Sequence, residues 1–247
     1  MNDSFKIHSL NYSYLNQQPL LKNINLELFP KQITAILGPS GVGKSTLLRI
    51  FMGIETGASG FIETKNLKTS LNHWNSSQNI FSIVPQVPHL LPWKTVTKNV
   101  ELAMNHIPRN QKRAKSIELL TAIQLQDFAD KYPEHLSQGQ ASRVSFARAL
   151  ATKAPVFLLD EPFAALDAVT RYLLQDWLVQ YVCQANIAAL LVTHDIREAL
   201  KTAHHIIVLK GSPAQIIFEV KQNHLLNLNS EGDHFLKLEN QIFELLK

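Results

Sequence analysis

The sequence contains a single cysteine, nine glycines and no long apolar segment. Because Cys183 has no second cysteine to pair with, a disulfide framework within the chain is excluded, and such sparse cysteine is typical of a reducing compartment. We expect Cys183 to be a small buried apolar side chain. The most apolar run, Ile187–Val192, spans six residues, whereas a helix that crosses a bilayer needs about 20. The sequence therefore predicts no membrane-spanning segment.

A strong excess of one charge sign is also absent. The 247 residues carry a formal net charge of +4 and are 45% hydrophobic and 18% charged. This composition excludes disordered, collagen-like and coiled-coil chains, and the small positive excess weakly indicates an anionic ligand or a membrane surface. The one dense basic stretch, Arg109–Lys115, leads into apolar residues at helical spacing, so we interpret it as the solvent face of a helix. No nucleic-acid-binding signature accompanies it, and we expect no nucleic-acid partner.

Apolar segments alternate with turn residues in the first quarter of the chain. Ile24–Leu28 has the alternation of a strand, and Ile33–Leu37 is a short apolar run typical of a strand buried on both faces. A glycine-rich loop follows, and Ser45–Phe51 then has a helical pattern. The order is strand, loop, helix, which is the context that a phosphate-binding loop requires.

The rest of the chain predicts a parallel α/β core interrupted by a mostly helical insertion. The pattern is helical from about residue 90 to 150, and apolar strands return at Val156–Leu159 and Ile187–Val192 with a helix near Tyr172–Tyr181 between them. The chain closes with apolar residues three and four apart, which predicts a short amphipathic helix. We expect that helix to pack on the chain's own core through Phe235, Leu238, Ile242 and Leu245.

The glycine-rich loop matches the phosphate-loop pattern G-x-x-x-x-G-K-[ST]. Three of the chain's nine glycines fall in it, at positions where a Cβ would crowd the backbone N–H groups that surround the phosphates. The helix from Ser45 onward adds its positive end, Lys44 places a cation on the β- and γ-phosphates, and the Ser45 hydroxyl can bind Mg²⁺. The sequence therefore predicts a nucleoside triphosphate site made of Gly38, Pro39, Ser40, Gly41, Val42, Gly43, Lys44, Ser45 and Thr46.

A second acidic element is needed to hold and use the metal, and the strand Val156–Leu159 supplies it by ending in Asp160 and Glu161. Adjacent residues at the end of a strand point in different directions. We therefore expect Asp160 to serve the Mg²⁺ shell while Glu161 faces the γ-phosphate and polarises a water molecule.

Five further elements, in order and spacing from about residue 5 to 220, resemble the ATP-binding subunits of ABC transporters. Leu136–Gln140 is similar to the LSGGQ signature of that family, and Gln86 after an apolar strand resembles its Q-loop glutamine. Ala165–Asp167 resembles the D-loop, and His194 resembles the switch histidine. Tyr14 stands about where the family places the aromatic ring that stacks on adenine, although Tyr12 is an alternative. Each element is weak alone, and together they are highly specific.

The resemblance implies a fold class and a domain organisation. The expected fold is α/β, with a P-loop NTPase (RecA-like) core, an N-terminal antiparallel β part and an inserted helical subdomain. The chain would be a single ABC ATP-binding domain over residues 1–247. Its nucleotide-binding core would cover about 1–87 and 151–220, its helical signature subdomain about 88–150, and its tail with a short helix about 221–247.

The resemblance also implies a mechanism, in which two chains in a head-to-tail dimer sandwich two ATP molecules. Glu161 would be the general base, His194 would hold the γ-phosphate and the attacking water, and Gln86 would touch Mg²⁺ and water. Mg²⁺ would be held by Ser45, Gln86 and, through water, Asp160. The residues acting on the partner's ATP would be Ser137, Gln138, Gly139, Gln140 and Asp167.

One departure from the family pattern lies in the signature itself. Gln138 replaces the first glycine of the signature pair, and a side chain there could crowd the phosphate. Because Ser137 and Gly139 are kept, we expect reduced activity rather than none.

Finer stretches resemble the nitrate, sulfonate and taurine type of importer ATPase: Pro88–Val100, which includes Trp93, Phe163–Arg171 and Leu238–Leu246. The alternative for Trp93 is an ordinary core aromatic, and it counts as a marker of this group only together with its neighbours. The resemblance implies a subunit that energises uptake of a sulfonate, taurine, nitrate or a pyrimidine precursor, bound peripherally at the cytoplasmic face of a bacterial cell membrane. Its partners would be a second ATP-binding subunit, integral membrane permease subunits and, indirectly, a solute-binding protein.

Two alternatives to an importer remain open. One is the ATPase of an exporter whose membrane chains are separate. The other is a soluble ABC ATPase acting on nucleic acid or ribosomes, which would require long coiled-coil insertions or a second cassette.

Overall fold

A computed structural model describes residues 4–15, 17–64, 67–74, 80–221 and 233–247. Of the predicted tail over 221–247, residues 222–232 lie outside the described part of the chain. The described residues form ten strands and seven α-helices. The strands are β1 Phe5–Ser13, β2 Pro19–Leu28, β3 Ile33–Leu37, β4 Ser59–Thr64, β5 Leu67–Ser70, β6 Phe81–Val84, β7 Val156–Asp160, β8 Ala188–Val192, β9 His205–Gly211 and β10 Ala214–Lys221. The helices are α1 Lys44–Phe51, α2 Val96–Glu101, α3 Arg109–Ala122, α4 Gln138–Leu150, α5 Ala168–Ala185, α6 Ile196–Thr202 and α7 Asp233–Leu246.

All ten strands belong to one sheet in the order β5-β4-β1-β2-β10-β9-β3-β8-β7-β6. The five strands from β9 to β6 run parallel, whereas β5, β4, β1 and β2 pair antiparallel. The two parts join where β10, antiparallel to β9, pairs with β2 at a single position, Ala214 opposite Leu21. The predicted fold class, a parallel α/β core with an antiparallel N-terminal part, is confirmed.

Two apolar cores lie on the two faces of this sheet, because successive residues of a strand point to opposite sides. In β3, Ala35 and Leu37 pack with the helices from α2 onward. Ile36 between them packs with α1 and with the antiparallel strands. Every residue of β3 and β8 is buried, which explains the continuous apolar runs in the sequence.

The closing helix packs on the chain's own core, as predicted, and lies against α6 and β9. Phe235, Leu238 and Ile242 of α7 are buried, whereas Leu245, predicted with them, is only partly buried near the helix end. Arg197 of α6 reaches Glu239 of α7, with Nε and Oε1 2.7 Å apart. Among the described residues, no helix combines the length and hydropathy that crossing a bilayer requires.

The prediction that Cys183 is buried is wrong, because this side chain is exposed on α5. The buried face of that helix runs through Leu174, Leu178 and Val182 at intervals of four residues. Cys183 follows Val182 by one residue and is therefore turned about 100° away from that face.

Candidate functional site

The phosphate loop connects β3 to α1, and its glycines take backbone conformations that other residues rarely adopt. Gly41 and Gly43 have φ angles of 79° and 106°. At Gly38 the constraint is space, since a Cβ there would lie 2.7 Å from the Leu209 carbonyl oxygen. The loop thus turns tightly into the N-terminus of α1, where free N–H groups can surround an anion.

Lys44, the first residue of α1, is buried inside this loop. Its Nζ donates hydrogen bonds to the carbonyl oxygens of Gly38 and Pro39, at 2.8 and 2.9 Å. Burial lowers the pKa of Lys44, while the nearby Asp160 and Glu161 carboxylates act in the opposite direction. The ammonium group is therefore fixed within the loop, where it complements phosphate charge.

Two hard oxygen groups meet beside the loop. Ser45 Oγ donates a hydrogen bond to Asp160 Oδ1 at 3.0 Å. Burial raises the pKa of Asp160, and the Ser45 hydrogen bond opposes that rise. A hydroxyl and a carboxylate on adjoining elements are ligands that Mg²⁺ accepts, directly or through water, so the residues present fit this ion.

Glu161 brings together the three residues predicted to be catalytic. Gln86 Nε2 donates to Glu161 Oε2 at 3.2 Å, and His194 Nδ1 lies 3.1 Å from Glu161 Oε1. These side chains follow β6, β7 and β8, which are parallel neighbours in the sheet. The Glu161 backbone has a φ of 46°, and its N–H donates to the Val192 carbonyl oxygen at 2.9 Å.

The two candidate stacking residues differ in exposure and contacts. Tyr12 is buried, and its hydroxyl donates to Glu55 Oε2 at 2.9 Å. Tyr14 is partly exposed, and its hydroxyl shares a 3.0 Å hydrogen bond with that of Thr46 in the loop. Tyr14 is therefore the less buried of the two and the one that is bonded to the loop.

The residues predicted to act on a partner's ATP form a separate group. Ser137 caps α4 by accepting the Gln140 N–H, and the Gln140 side chain accepts the Ser137 N–H. Gln138 is exposed, and Asp167 caps α5 by accepting the Thr170 N–H. Within the described chain, none of these hydrogen bonds reaches the phosphate loop.

Two arginines with contacts at the site were missed by the sequence predictions. Arg148 of α4 donates from Nη1 to the His89 carbonyl and from Nη2 to the Pro88 carbonyl, both at 2.9 Å. It therefore holds the segment that follows Gln86. Arg171 of α5 donates to the carbonyl of Leu166, next to Asp167. In the sequence, each of these residues is an arginine on a helix next to apolar residues. That pattern does not show which group the arginine contacts.

A glycine-rich phosphate loop between a central parallel strand and its helix, with a carboxylate at the end of a neighbouring strand, defines a P-loop NTPase. The chain belongs to the ABC transporter family, whose sequence model matches residues 21–164. It is an ATPase of that family, and the resemblance indicated by its motifs is confirmed.

Relatives and a solved structure agree with this assignment. The aliphatic sulfonates import ATP-binding protein of Corynebacterium glutamicum is 38% identical over 82% of this chain and 79% of its own. The taurine import ATP-binding protein of Pseudomonas putida is 37% identical over 83% of this chain and 77% of its own. A dimeric ATP-binding cassette bound to ADP and Pi superposes with a TM-score of 0.78 at 31% identity, covering 88% of this chain and 98% of that one.

Glu198, four residues after His194 in the chain, is buried on α6. Burial raises its pKa from 4.5 to about 7; Asp195 adds to the rise, while a Thr193 hydrogen bond and the Arg171 and His194 charges oppose it. Its Oε1 has no hydrogen-bond partner among the described residues.

Glu198 makes the folded state lose stability as pH rises. Its pKa is higher in the folded chain than in the unfolded one, so the folded state holds the extra proton between about pH 4.5 and 7, and the free energy of unfolding falls across that window.

Glu198→Gln removes the titration. A pKa difference of one is worth about 1.4 kcal/mol. The free energy of unfolding of the variant, relative to that of the wild type, should therefore rise by up to about 3 kcal/mol between pH 5 and 8. Urea unfolding across that range measures it, with exposed Glu244→Gln as control; a gap independent of pH would contradict the assignment.

Proposed function

We propose that this chain is the ATP-hydrolysing subunit of an ABC importer for a small solute, working as a dimer. The observation that carries the proposal is the contact of Glu161 with both Gln86 and His194 beside a complete phosphate loop. Importer relatives at 37–38% identity support the direction of transport. The same relatives support a sulfonate or taurine as the solute, and the sequence resemblance adds nitrate and a pyrimidine precursor as further candidates.

ATP binds with its phosphates in the loop from Gly38 to Thr46. The backbone N–H groups of the loop and the Lys44 ammonium contact the phosphate oxygens. Tyr14 stacks on adenine, because it is only partly buried and is bonded to Thr46 of the loop, while Tyr12 is buried and bonded to Glu55. Mg²⁺ would be held by Ser45, Gln86 and, through water, Asp160, and it would supply positive charge against the phosphates.

Hydrolysis uses Glu161 as the general base. Its carboxylate accepts a proton from a water molecule, whose oxygen forms a bond to the γ-phosphorus as the bond to the bridging oxygen of ADP breaks. The products are ADP and inorganic phosphate. His194 donates to the γ-phosphate and keeps the water in line, and its place next to Glu161 supports this role. Gln86 donates a hydrogen bond to the other carboxylate oxygen of Glu161. Through this bond, it couples ATP binding in the site to the position of the segment that follows Gln86.

The second half of each ATP site comes from the partner subunit. The hydrogen bonds of Ser137, Gln140 and Asp167 stay within their own turns and do not reach the phosphate loop of the same chain, and a related cassette is dimeric with ADP and Pi bound. ATP then joins the two chains and hydrolysis releases them. Gln138, exposed at the start of α4, adds bulk at this contact and lowers the rate without abolishing it.

The permease docks on the segment after Gln86, within the proposed helical subdomain over about 88–150. Arg148 holds this segment from one side. Asn99 holds it from the other, accepting the Leu91 N–H and donating to carbonyls of Leu91, Lys94 and Thr95. Trp93 is not a core aromatic, because 70% of its surface is exposed, and Val87 nearby is 59% exposed. A rigid segment that exposes large apolar side chains is typical of a protein interface.

Such a subunit lies at the cytoplasmic face of the cell membrane, attached through the permease, and the solute-binding protein acts on the far side. The solute itself does not touch this chain. The same proposal includes the residue roles given above. It also includes the division of the chain into a nucleotide-binding core over about 1–87 and 151–220 and a helical subdomain.

Tyr14→Ala should weaken ATP binding about tenfold, because ring stacking on a base is worth about 1–3 kcal/mol. Tyr14→Phe keeps the ring and should bind like the wild type, which separates stacking from the hydrogen bond to Thr46. Tyr12→Ala serves as the matched comparison. Titration with a fluorescent ATP analogue measures the three affinities, and a loss confined to Tyr12→Ala would reverse the assignment.

Glu161→Gln should trap an ATP-bound dimer, because the amide cannot accept the proton and hydrolysis no longer separates the chains. We expect ATP turnover to fall at least about 100-fold, as when a general base is lost, and the variant to elute as a dimer from gel filtration with Mg-ATP. Adding Lys44→Ala to the same chain should return it to monomer. A Glu161→Gln protein that stays monomeric at saturating Mg-ATP would refute the sandwich for the isolated subunit.

Trp93→Ala should abolish co-purification with the permease while leaving the ATPase rate of the isolated chain unchanged. Phe243→Ala is the control, since Phe243 is 51% exposed on the remote helix α7. The tagged chain is purified from membranes in mild detergent and its partners are identified by mass spectrometry. A multi-span protein with a solute-binding protein is expected; a multi-span protein alone would favour an exporter, and ribosomes or nucleic acid would contradict transport.

A further inference from the structure

Arg171, on the first turn of α5, contacts two loops at once. Its Nη2 donates to the Leu166 carbonyl oxygen at 3.1 Å. Its Nη1 lies 4.0 Å from Oδ2 of Asp195, the residue that directly follows His194. One guanidinium group therefore joins the turn that ends in Asp167 to the loop that carries His194.

The turn on the first side also packs against the signature segment. A Cβ built on Gly139 would lie 3.2 Å from the Ala165 carbonyl oxygen and 3.3 Å from Leu166 Cδ2. The start of α4 thus packs directly on the Ala165 carbonyl and the Leu166 side chain. A shift of the signature segment must displace the Ala165–Leu166 turn, since closely packed atoms leave no room to compress.

On the second side, Asp195 fixes the loop of His194. Asp195 Oδ1 accepts the Glu198 N–H at 3.1 Å and so caps α6. The Asp195 N–H donates to Thr193 Oγ1 at 3.0 Å, which closes a tight turn around His194. The position of the Asp195 carboxylate therefore sets the position of the imidazole that lies 3.1 Å from Glu161.

We propose that Arg171 is a positioning residue that couples the two ATP sites of the dimer. The inference rests on the proposed function, in which Ser137–Gln140 and Ala165–Asp167 meet the partner's ATP while His194 serves the chain's own. Contact with the partner's ATP shifts the turn, Arg171 passes that shift to Asp195, and His194 is set for hydrolysis in the chain's own site. The coupling is reciprocal, because both subunits carry the same connection.

The chemistry of the side chain fits this role. A guanidinium presents donors in two fixed directions, so it can hold a carbonyl and a carboxylate together, whereas an ammonium is a single point charge. Arg171 is about one-third exposed and the Asp195 contact is long, so the pair adds little to stability. Its Nε is buried without a hydrogen-bond partner in the described residues, as is Oε1 of Glu198 on the adjoining α6.

The test compares Arg171→Ala and Arg171→Lys with the wild type in ATP affinity, kcat, KM and the Hill coefficient for ATP. We expect kcat to fall about tenfold, within the range usual for coupling between two sites, and the Hill coefficient to fall from about 2 towards 1. Affinity for the fluorescent ATP analogue and Tm should stay near the wild-type values. Lysine should not restore the Hill coefficient, because it cannot hold both partners.

Arg197→Ala is the matched control, since Arg197 is an exposed arginine of α6 whose partner, Glu239, is on the remote helix α7. It should keep the wild-type kcat and Hill coefficient. Wild-type cooperativity in Arg171→Ala, or in Arg171→Lys, would overturn the coupling role while leaving the sandwich dimer intact. If instead the wild type shows no ATPase activity and Glu161→Gln forms no dimer, the proposed function itself fails.

Discussion

The parallel pairing of the central strands is the constraint on which the site depends. Val84 of β6 lies opposite Leu159 of β7, and Asp160 of β7 lies opposite Val192 of β8. Because parallel strands end at the same edge, the residues just beyond them converge there, and Glu161 contacts Gln86 on one side and His194 on the other. A slip of one residue in this register would send each side chain to the opposite face of the sheet. The apolar runs that lock the register are thus as necessary to the site as its polar groups.

This convergence has a conformational cost at its centre. Glu161 takes a positive φ that a non-glycine residue usually avoids, at about 1–3 kcal/mol. The bond from its N–H to the Val192 carbonyl continues the pairing of β7 with β8 and holds it there. The turn directs the Asp160 carboxylate towards Ser45 and the Glu161 carboxylate away from it. The two neighbouring carboxylates therefore contact different groups, as expected from the different directions of adjacent residues after a strand.

Much of the fold and the phosphate loop could be predicted from the sequence, because their determinants are local. A loop that must point N–H groups inward needs glycines at fixed spacing, and a strand buried on both faces must be apolar throughout. The exposure of Cys183 and the contacts of Arg148 and Arg171 could not be predicted in this way. Which side of α5 faces the core, and which carbonyl an arginine reaches 59 residues away along the chain, are decided by the packing of whole elements. The exposure of Trp93 likewise depends on Arg148 and Asn99, which fix its segment outside the core.

The capping of α4 has a consequence for what its N-terminus can recognise. Ser137 Oγ accepts the Gln140 N–H, which uses one of its two lone pairs and leaves the hydroxyl proton free to donate. The Gln140 side chain takes up the Ser137 N–H, so the unpaired N–H groups of the first turn are those that follow the cap. The cap fixes the geometry of these donors without help from a ligand. In the proposed dimer, this end of the helix would therefore meet the partner's terminal phosphate with hydrogen-bond donors already in place.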